Sequence, residues 1–405
     1  MRWKLNAAPR AVAAMLAICG AVAMTAAATA SAHPRHDGTH QRNSGTQQRH
    51  DGAHQAPATG FSAQVLVNAS TIMHPIPGGT EPVSQPDDIT YLDGHIFVGF
   101  QNGVGAQGEA SSSGNLDSTI VEFSRSGQEI AQWDIAGKCD GLTAYRRAGE
   151  LIATVDEDAN SSVYLIHARP GSTPVQFQYS EPLPSAGGTD AISVYRGRVL
   201  ISASAPGTTG VAAPQPTYPA VYVVRFHRST HIAQISPLFG DEDQANVANT
   251  NAANVGAPVD LALTDPDSNE VVPGYADRFG GDFMLNSQGD EQQIFFGGRH
   301  RPLQVLQLTA SVDDSAWPSG PRGVLYTTDN SADQIIAVTG PFVRGSEIAA
   351  VTPCDQANAP ATCPAPPSFP ANYLGSIDPG TGAITPLTVS GVTFEPQGML
   401  FVSHS

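Results

Sequence analysis

A strand pattern that opens on a small, polar or acidic residue recurs along most of this 405-residue chain. The clearest copy, CDGLTAYRRAGELIATVDEDANSSVYLI at 139–166, contains three apolar runs separated by a polar break and an Asp/Asn-rich hairpin. Because apolar and polar residues alternate and turn residues separate the runs, the copy predicts antiparallel strands. Its opening occurs in six versions, which are QPDDITYL from Gln85, KCDGLTAY from Lys138, GTDAISVY from Gly188, APVDLALT from Ala257, GPRGVLYT from Gly320 and EPQGMLFV from Glu395.

The spacing of these openings predicts a single all-β domain, a β-propeller, over residues 61–405. Openings that lie 50 to 75 residues apart leave room for six blades of four-stranded antiparallel sheet. Seven blades are the alternative, because the pattern is irregular over 257–320. The chain ends on an inner-strand pattern, EPQGMLFVSHS, whereas FSAQVLVNAS from Phe61 has the alternation of an outer strand. Pairing of these two termini in one blade would close the ring and remove an exposed sheet edge.

Composition narrows the range of partners. The formal net charge is -17, and only 14% of the residues are charged. Nucleic-acid binding needs basic surface that displaces counterions from phosphate, so that class of partner is excluded. An acidic surface of this kind keeps an exported protein soluble. We therefore expect a monomer whose partner is a small molecule or an extracellular protein.

The first 32 residues have the features of a secretory signal. A basic start is followed by a mostly apolar run over 11–28 and by the small-residue sequence Ala30-Ser31-Ala32. The run is also long enough to cross a bilayer, so a retained anchor is the alternative. With cleavage after Ala32, the protein has no membrane span. We expect it to be secreted or extracytoplasmic, in the cell envelope.

Residues 33–60 are polar, low in complexity and rich in histidine, which predicts disorder. The repeated sequences RHDGTHQ and RHDGAHQ contain imidazoles that could gather Zn²⁺, Cu²⁺ or Ni²⁺. The alternative is a solvated spacer, since nothing in the segment preorganises the ligands. The candidate ligands are His36, His40, His50 and His54.

Three cysteines remain after removal of the signal. Cys354 and Cys363 flank a Pro/Ala-rich loop, and we expect a disulfide between them in an oxidising compartment. Cys139 lies at the start of a strand, where a buried thiol acts as a small hydrophobic group.

The innermost strands of a propeller open at one mouth of its channel, so residues at equivalent repeat positions face one another there. A carboxylate ring at this mouth favours a cation, and Ca²⁺ accepts several oxygen ligands in flexible geometry. The alternative is that these acids cap turns by accepting backbone N–H groups. The predicted ligand-binding residues are Asp88 or its neighbour Asp87, Asp140, Asp190, Asp260, Arg322 and Gln397, and the predicted metal ligands are Asp88, Asp140 and Asp190.

Two segments resemble known propeller families. CDGLTAYRRAGELIATV at 139–155 resembles the Asp-Gly-Leu strand unit of the senescence-marker/gluconolactonase propellers, and PRGVLYTTDNSADQIIAV at 321–338 resembles an NHL repeat. The first resemblance implies that Asp140 is a metal ligand and catalytic carboxylate of a Ca²⁺-dependent lactonase or esterase-like hydrolase. The Glu-Gly-Pro and Asn-Gly-Leu units of that family have no counterpart here. The sequence therefore favours a ligand-binding or scaffold module. The hydrolase is the first alternative, and metal capture at the cell envelope by the histidine-rich segment is the second.

Overall fold

Alternating apolar and polar residues form β-strands throughout residues 60–184, 187–204, 218–353 and 371–404, which the computed structural model describes. Short 3-10 turns occur at Ala69–Thr71 and Gln288–Asp290. In chain order the strands are β1 (Phe61–Asn68), β2 (Met73–Ile76), β3 (Gly79–Pro82), β4 (Pro86–Leu92), β5 (His95–Phe100), β6 (Asp117–Phe123), β7 (Glu129–Ala136), β8 (Cys139–Tyr145), β9 (Glu150–Val155), β10 (Ser162–His167), β11 (Val175–Tyr179), β12 (Thr189–Tyr195), β13 (Arg198–Ala203), β14 (Pro219–His227), β15 (Ile232–Gly240), β16 (Gln244–Val247), β17 (Pro258–Asp260), β18 (Pro266–Val271), β19 (Phe283–Ser287), β20 (Gln292–Phe296), β21 (Leu303–Gln307), β22 (Val312–Ala316), β23 (Gly323–Asp329), β24 (Gln334–Thr339), β25 (Glu347–Val351), β26 (Tyr373–Ile377), β27 (Ile384–Pro386), β28 (Val389–Gly391) and β29 (Met399–Ser403).

Several sequence predictions concern residues outside these ranges. They include the signal at 1–32, the histidine-rich segment with His36, His40, His50 and His54, and the expected disulfide between Cys354 and Cys363. All of these stay predictions. Within the described ranges, no helix is long and apolar enough to span a membrane.

Four-stranded antiparallel units repeat along the described chain. The first unit is β4–β7, the second β8–β11 and the third β12–β15. A short parallel contact between β11 and β15 joins the second and third units into one eight-stranded sheet. The fourth unit is β18–β21, and β16 and β17 extend its outer edge. The strands β2 and β3 form a separate hairpin between β1 and the first unit.

The chain passes back and forth between the last two units. The fifth unit contains β22, β25, β26 and β27, whereas the closing unit contains β29, β23, β24 and β1, with β28 parallel to β1. The chain therefore leaves the fifth unit after β22, forms the β23–β24 hairpin in the closing unit and returns for β25. Because β29 and β1 lie in one sheet, the predicted closure by the two termini is confirmed.

Apolar side chains fill the space between neighbouring units. In the described residues, six clusters lie one between each unit and the next. The cluster that closes the ring brings Ile335 of the closing unit against Ile96 and Phe123 of the first unit. Burial on both faces explains why middle strands such as β5 and β9 are buried along nearly their whole length and are largely apolar. Sheets that pack face to face and return to the first form a β-propeller, so the predicted fold class is confirmed.

A β-bulge interrupts the start of the inner strand in each of the first five units. In β8, for example, the pairing passes from Cys139 with Val155 to Leu142 with Ala153. Asp140 and Gly141 therefore lie opposite one residue of β9. A bulge of this kind bends the strand and redirects a side chain. We call the two extra residues the first and second bulge residues.

Four of the five bulges receive a hydrogen bond from the preceding unit. In each case the donor is a polar side chain on the second strand of that unit. Its hydroxyl or amide group donates to the backbone carbonyl of the first bulge residue of the following unit. The bonds are Thr154 Oγ1 to Asp190 O (2.5 Å), Ser202 Oγ to Asp267 O (2.8 Å), Asn286 Nδ2 to Asp313 O (3.1 Å) and Thr328 Oγ1 to Asp87 O (2.6 Å). All four donor side chains are buried, so each bond satisfies a carbonyl that water cannot reach.

The two remaining interfaces use a carboxylate instead. The equivalent second-strand residues are Gly99 in the first unit and Ala350 in the fifth, and neither can donate a side-chain hydrogen bond. There the second bulge residue is aspartate. Asp88 accepts from the backbone of the second unit, and Asp314 accepts from that of the closing unit. Each of the six interfaces between described units thus has one such inter-unit bond.

The inter-unit bonds can be tested with two buried serines. We expect Ser202→Ala to lower the free energy of unfolding by about 1–3 kcal/mol, because the buried carbonyl of Asp267 loses its donor. Ser193 is the matched control, since its buried hydroxyl has no hydrogen-bond partner among the described residues. Ser193→Ala should change stability little. Urea unfolding of both variants measures the difference, and equal losses would contradict a specific role for Ser202.

Candidate functional site

The inner strands of the six described units surround a cavity of about 740 Å³ along the centre of the propeller. Their first bulge residues lie at one end of it, where each bulge turns a side chain towards the channel. In the closing unit, the residue two positions before β29 takes the equivalent position. These residues, which we call the channel ring, are Asp87, Asp140, Asp190, Asp267, Asp313 and Gln397.

Four of the predicted ligand-binding residues belong to the channel ring, namely Asp140, Asp190, Gln397 and Asp87, which was predicted as the alternative to Asp88. The prediction of Asp260 needs correction. It lies at the end of β17, the outermost strand of its sheet, and its exposed carboxylate accepts a hydrogen bond from Gln244 Nε2 (3.0 Å). The prediction of Arg322 is also corrected. This exposed residue precedes β23, a second strand, and does not line the cavity.

In the fourth and fifth units the ring residues are instead Asp267 and Asp313. The sequence pattern did not predict them, because their strands are polar. The inner strand of the fourth unit reads PDSNEV, and that of the fifth reads VDDSA. Neither contains the apolar alternation that marked the other openings. An aspartate one residue after Pro or an aliphatic residue is the signal they share with Asp87 (from PDDITYL).

Asp88 differs from the ring in its hydrogen bonding. Its Oδ1 accepts the backbone N–H of Ile89 and its Oδ2 accepts that of Leu142, both at 2.6 Å. The carboxylate is therefore a cap that joins the first and second units. These bonds fit the turn-capping alternative for Asp88, which also lines the cavity, and its role in ligand or metal binding stays a prediction.

One lysine lies among the ring carboxylates. Lys138 Nζ is 3.0 Å from Asp140 Oδ1 and also contacts Glu157 Oε1. Burial alone would lower the pKa of Lys138. The negative charges of Asp140 and Glu157 outweigh this effect and hold the pKa above its usual value. Gln101 Nε2 donates to the same Asp140 Oδ1 at 3.3 Å. The second oxygen, Asp140 Oδ2, has no hydrogen-bond partner among the described residues, although Asp140 is only 6% exposed.

Burial also raises the pKa of the ring carboxyls. It raises the pKa of Asp87 to about 7, with Lys138 acting in the opposite direction. The pKa values of Asp140 and Asp190 are well above their usual range, first through burial and then through neighbouring charges. For Asp267, burial is reinforced by the carboxylates of Asp190 and other acids, with no cation opposing them. The ring thus holds mutually repelling carboxylates that are incompletely neutralised.

The wall beyond the ring is mixed. Ala144, Val194 and Leu400 contribute apolar surface, whereas Thr90, Thr143 and Ser193 contribute hydroxyl groups. Glu270 adds one acid three residues after Asp267. Burial raises the pKa of Glu270 well above its usual range, and the charge of Asp314 adds to this effect. Arg146 and Arg147 lie at the opposite end of the cavity, beyond β8. The cavity is therefore acidic at the ring and basic at its far end.

The residues as placed do not fit a metal ion. Calcium needs several oxygen ligands at about 2.4 Å from one point. No group of three or more His, Cys, Asp or Glu side chains in the described ranges is arranged to hold a metal. Of the predicted ligands, Asp88 is committed to backbone amides and Asp140 Oδ1 to Lys138.

Cys139 is a buried free thiol, as the sequence predicted. Burial, followed by the charges of Asp140 and Asp87, raises its pKa well above the usual value. A thiol in this state stays protonated and is a poor nucleophile. Its role is therefore to fill space between the first and second units.

No protein-family model matches the chain, and no curated protein matches it. Similar solved structures include a periplasmic gluconolactonase of Pseudomonas aeruginosa, 14% identical with a TM-score of 0.42 over 85% of this chain and 99% of that one. A protein of unknown function from Bacteroides caccae is 12% identical, with a TM-score of 0.42 over 80% of this chain and 90% of that one. A putative 6-phosphogluconolactonase from Bacteroides uniformis is 12% identical, with a TM-score of 0.40 over 80% of this chain and 92% of that one.

Proteins named as gluconolactonases occur among the similar structures. Identities this low and TM-scores below 0.5 are too weak to support an activity. The propeller assignment rests on the strand pairing and packing described above.

Proposed function

We propose that the protein is an exported, monomeric β-propeller that binds a small, positively charged molecule in its central cavity. The observation that carries this proposal is the channel ring, where a buried oxygen of Asp140 has no hydrogen-bond partner among the described residues and lies beside several other carboxylates. A volume of about 740 Å³ lies within the range of small-molecule sites in proteins.

The charge of the ring explains why a cation would bind there. Carboxylates in a partly desolvated space repel one another. Lys138 opposes this repulsion at Asp87, Asp140 and Asp190, but one lysine carries a single charge against the five ring carboxylates. A bound cation would reduce this repulsion, and a cation with an N–H group would also donate to Asp140 Oδ2. A neutral ligand could donate to that oxygen but would leave the repulsion in place, and an anion would increase the repulsion.

A single substitution tests this site. We expect Asp140→Asn to weaken binding of a cationic ligand on the order of tenfold or more, because one charge-assisted contact is lost. Thermal shift with a panel of inorganic and organic cations measures it, since a ligand of the folded state raises the unfolding midpoint. Asp260→Asn is the control, because it removes an equal charge outside the cavity. Equal responses of both variants would contradict the site.

Hydrolysis of lactones or related esters is a second candidate. The raised pKa of Asp140 favours it, because a carboxyl that holds its proton near neutral pH can serve as a general acid or base. Assay of a lactone panel, with and without added Ca²⁺, is the test. Hydrolysis that disappears in Asp140→Asn but persists in Asp260→Asn would support it.

Metal capture by residues 33–60 is a separate proposal that rests on composition alone. Deletion of these residues should abolish Cu²⁺ and Zn²⁺ uptake if the segment is responsible. Unchanged uptake would contradict it and leave the channel ring as the place to search for cation binding.

A further inference from the structure

We propose that the cation bound at the channel ring is an organic amine, whose primary ammonium group contacts the Asp140 side of the ring and whose alkyl chain lies in the cavity. The inference rests on the proposed function and specifies the chemical class of its ligand. Three features of the cavity support it.

The first feature is the way in which the ring already holds an ammonium group. Lys138 Nζ lies between Asp140 Oδ1, at 3.0 Å, and Glu157 Oε1. An ammonium group therefore fits between the ring carboxylate of Asp140 and the neighbouring carboxylate of Glu157. The contacts of Lys138 are of the kind that we propose for the ammonium group of the ligand.

The second feature is a buried acceptor oxygen beside that lysine. Lys138 uses Asp140 Oδ1, whereas the buried Oδ2 of the same carboxylate has no partner in the described chain. The carboxyl of Asp267 also gains repulsion from the charge of Asp190. An ammonium group carries three donors and one positive charge, so it can serve several separated acceptors at once.

The third feature is the shape of the site. No three acids in the described ranges are arranged to hold one metal ion directly. An ammonium group does not need acceptors that converge on one point, because its three N–H donors point in different directions. The adjoining wall of Ala144, Val194 and Leu400 offers apolar surface to an alkyl chain. Glu270, roughly 10 Å further along β18, could receive a second ammonium group.

Calorimetry on the full chain at pH 8 tests the inference with n-butylamine, 1,4-diaminobutane and spermidine, each compared with tetramethylammonium and Ca²⁺. We expect the primary amines to bind and the diamine to bind more tightly than the monoamine. Tetramethylammonium has the charge but no N–H donor, so it should bind on the order of tenfold more weakly.

The outcomes separate this inference from the proposed function. Binding of Ca²⁺ without binding of amines would overturn the inference and leave a cation site in place. Equal affinity for tetramethylammonium and n-butylamine would overturn it as well, because charge alone would then explain binding. Absence of binding by every cation would overturn both proposals.

Chemical rescue gives a second measurement. Lys138→Met removes the internal ammonium, so we expect a lower unfolding midpoint at pH 8 that millimolar n-propylamine restores more strongly than in the unsubstituted protein. Tetramethylammonium at equal concentration should restore less. Equal rescue by the two cations would contradict the ammonium-shaped site. If Lys138→Met fails to fold, the calorimetric comparison on the unsubstituted protein still decides the matter.

Discussion

Asp314→Ala is expected to lower the free energy of unfolding by about 2–5 kcal/mol, because it leaves two buried backbone amides without an acceptor. Asp314 is 7% exposed, and its oxygens accept the N–H groups of Ser315 and Met399, both at 2.6 Å. The second bond crosses from the fifth unit to the closing unit. Ala350 on the adjacent strand has no side chain that could replace it. Urea unfolding at pH 6 measures the loss.

Two substitutions control for the loss of a charge. Asp314→Asn retains one acceptor and should cost less than Asp314→Ala. Asp190→Asn also removes a carboxylate from the cavity, but no backbone hydrogen bond of that carboxylate is present in the described structure. It should therefore be neutral or stabilising. A stability loss in Asp190→Asn equal to that in Asp314→Ala would contradict the inter-unit bond as the cause.

Without ligand, the protein is expected to be more stable at pH 5 than at pH 8. Burial raises the pKa of Asp87 and of Asp314 to about 7, so the folded state holds these protons more tightly than the unfolded chain does. Their contribution is complete below the unfolded value near 4 and is lost as the pH rises through about 7. Asp156 and Glu347 act in the same direction. The decline should be on the order of 3 kcal/mol, since each unit of pKa corresponds to about 1.4 kcal/mol.

The pH dependence of unfolding can be assigned to the channel ring by substitution. Asp267→Asn should flatten the decline between pH 5 and pH 8, because it removes a carboxyl whose pKa is raised and that repels Asp190. Asp260→Asn, outside the cavity, should leave the decline unchanged. Stability that rises between pH 5 and pH 8 would show that other groups dominate and would contradict this account.

Local pattern was sufficient for the fold class and for four of the six ring residues. Apolar alternation after a polar or acidic opening correctly indicated the inner strands that carry Asp87, Asp140, Asp190 and Gln397. It failed at Arg322, because β23 has the same local pattern whether it is the first or second strand of its sheet. It also failed at Asp267, whose strand is polar because Asn269 lies within it and donates to the backbone of Ala191.

By itself, the sequence determined where strands and turns form, that they repeat, and that the two ends of the chain share a sheet. These properties depend on alternation and turn residues, which act over short distances. Only the tertiary structure decided what each carboxylate does. Asp88 and Asp314 form the inter-unit hydrogen bonds of their interfaces, because the residues opposite their bulges, Gly99 and Ala350, have no side-chain donor. Asp140 differs, because Lys138 contacts its Oδ1 and its Oδ2 has no hydrogen-bond partner in the described part of the chain. That choice depends on neighbours from different strands, whose proximity only the closed ring of sheets creates.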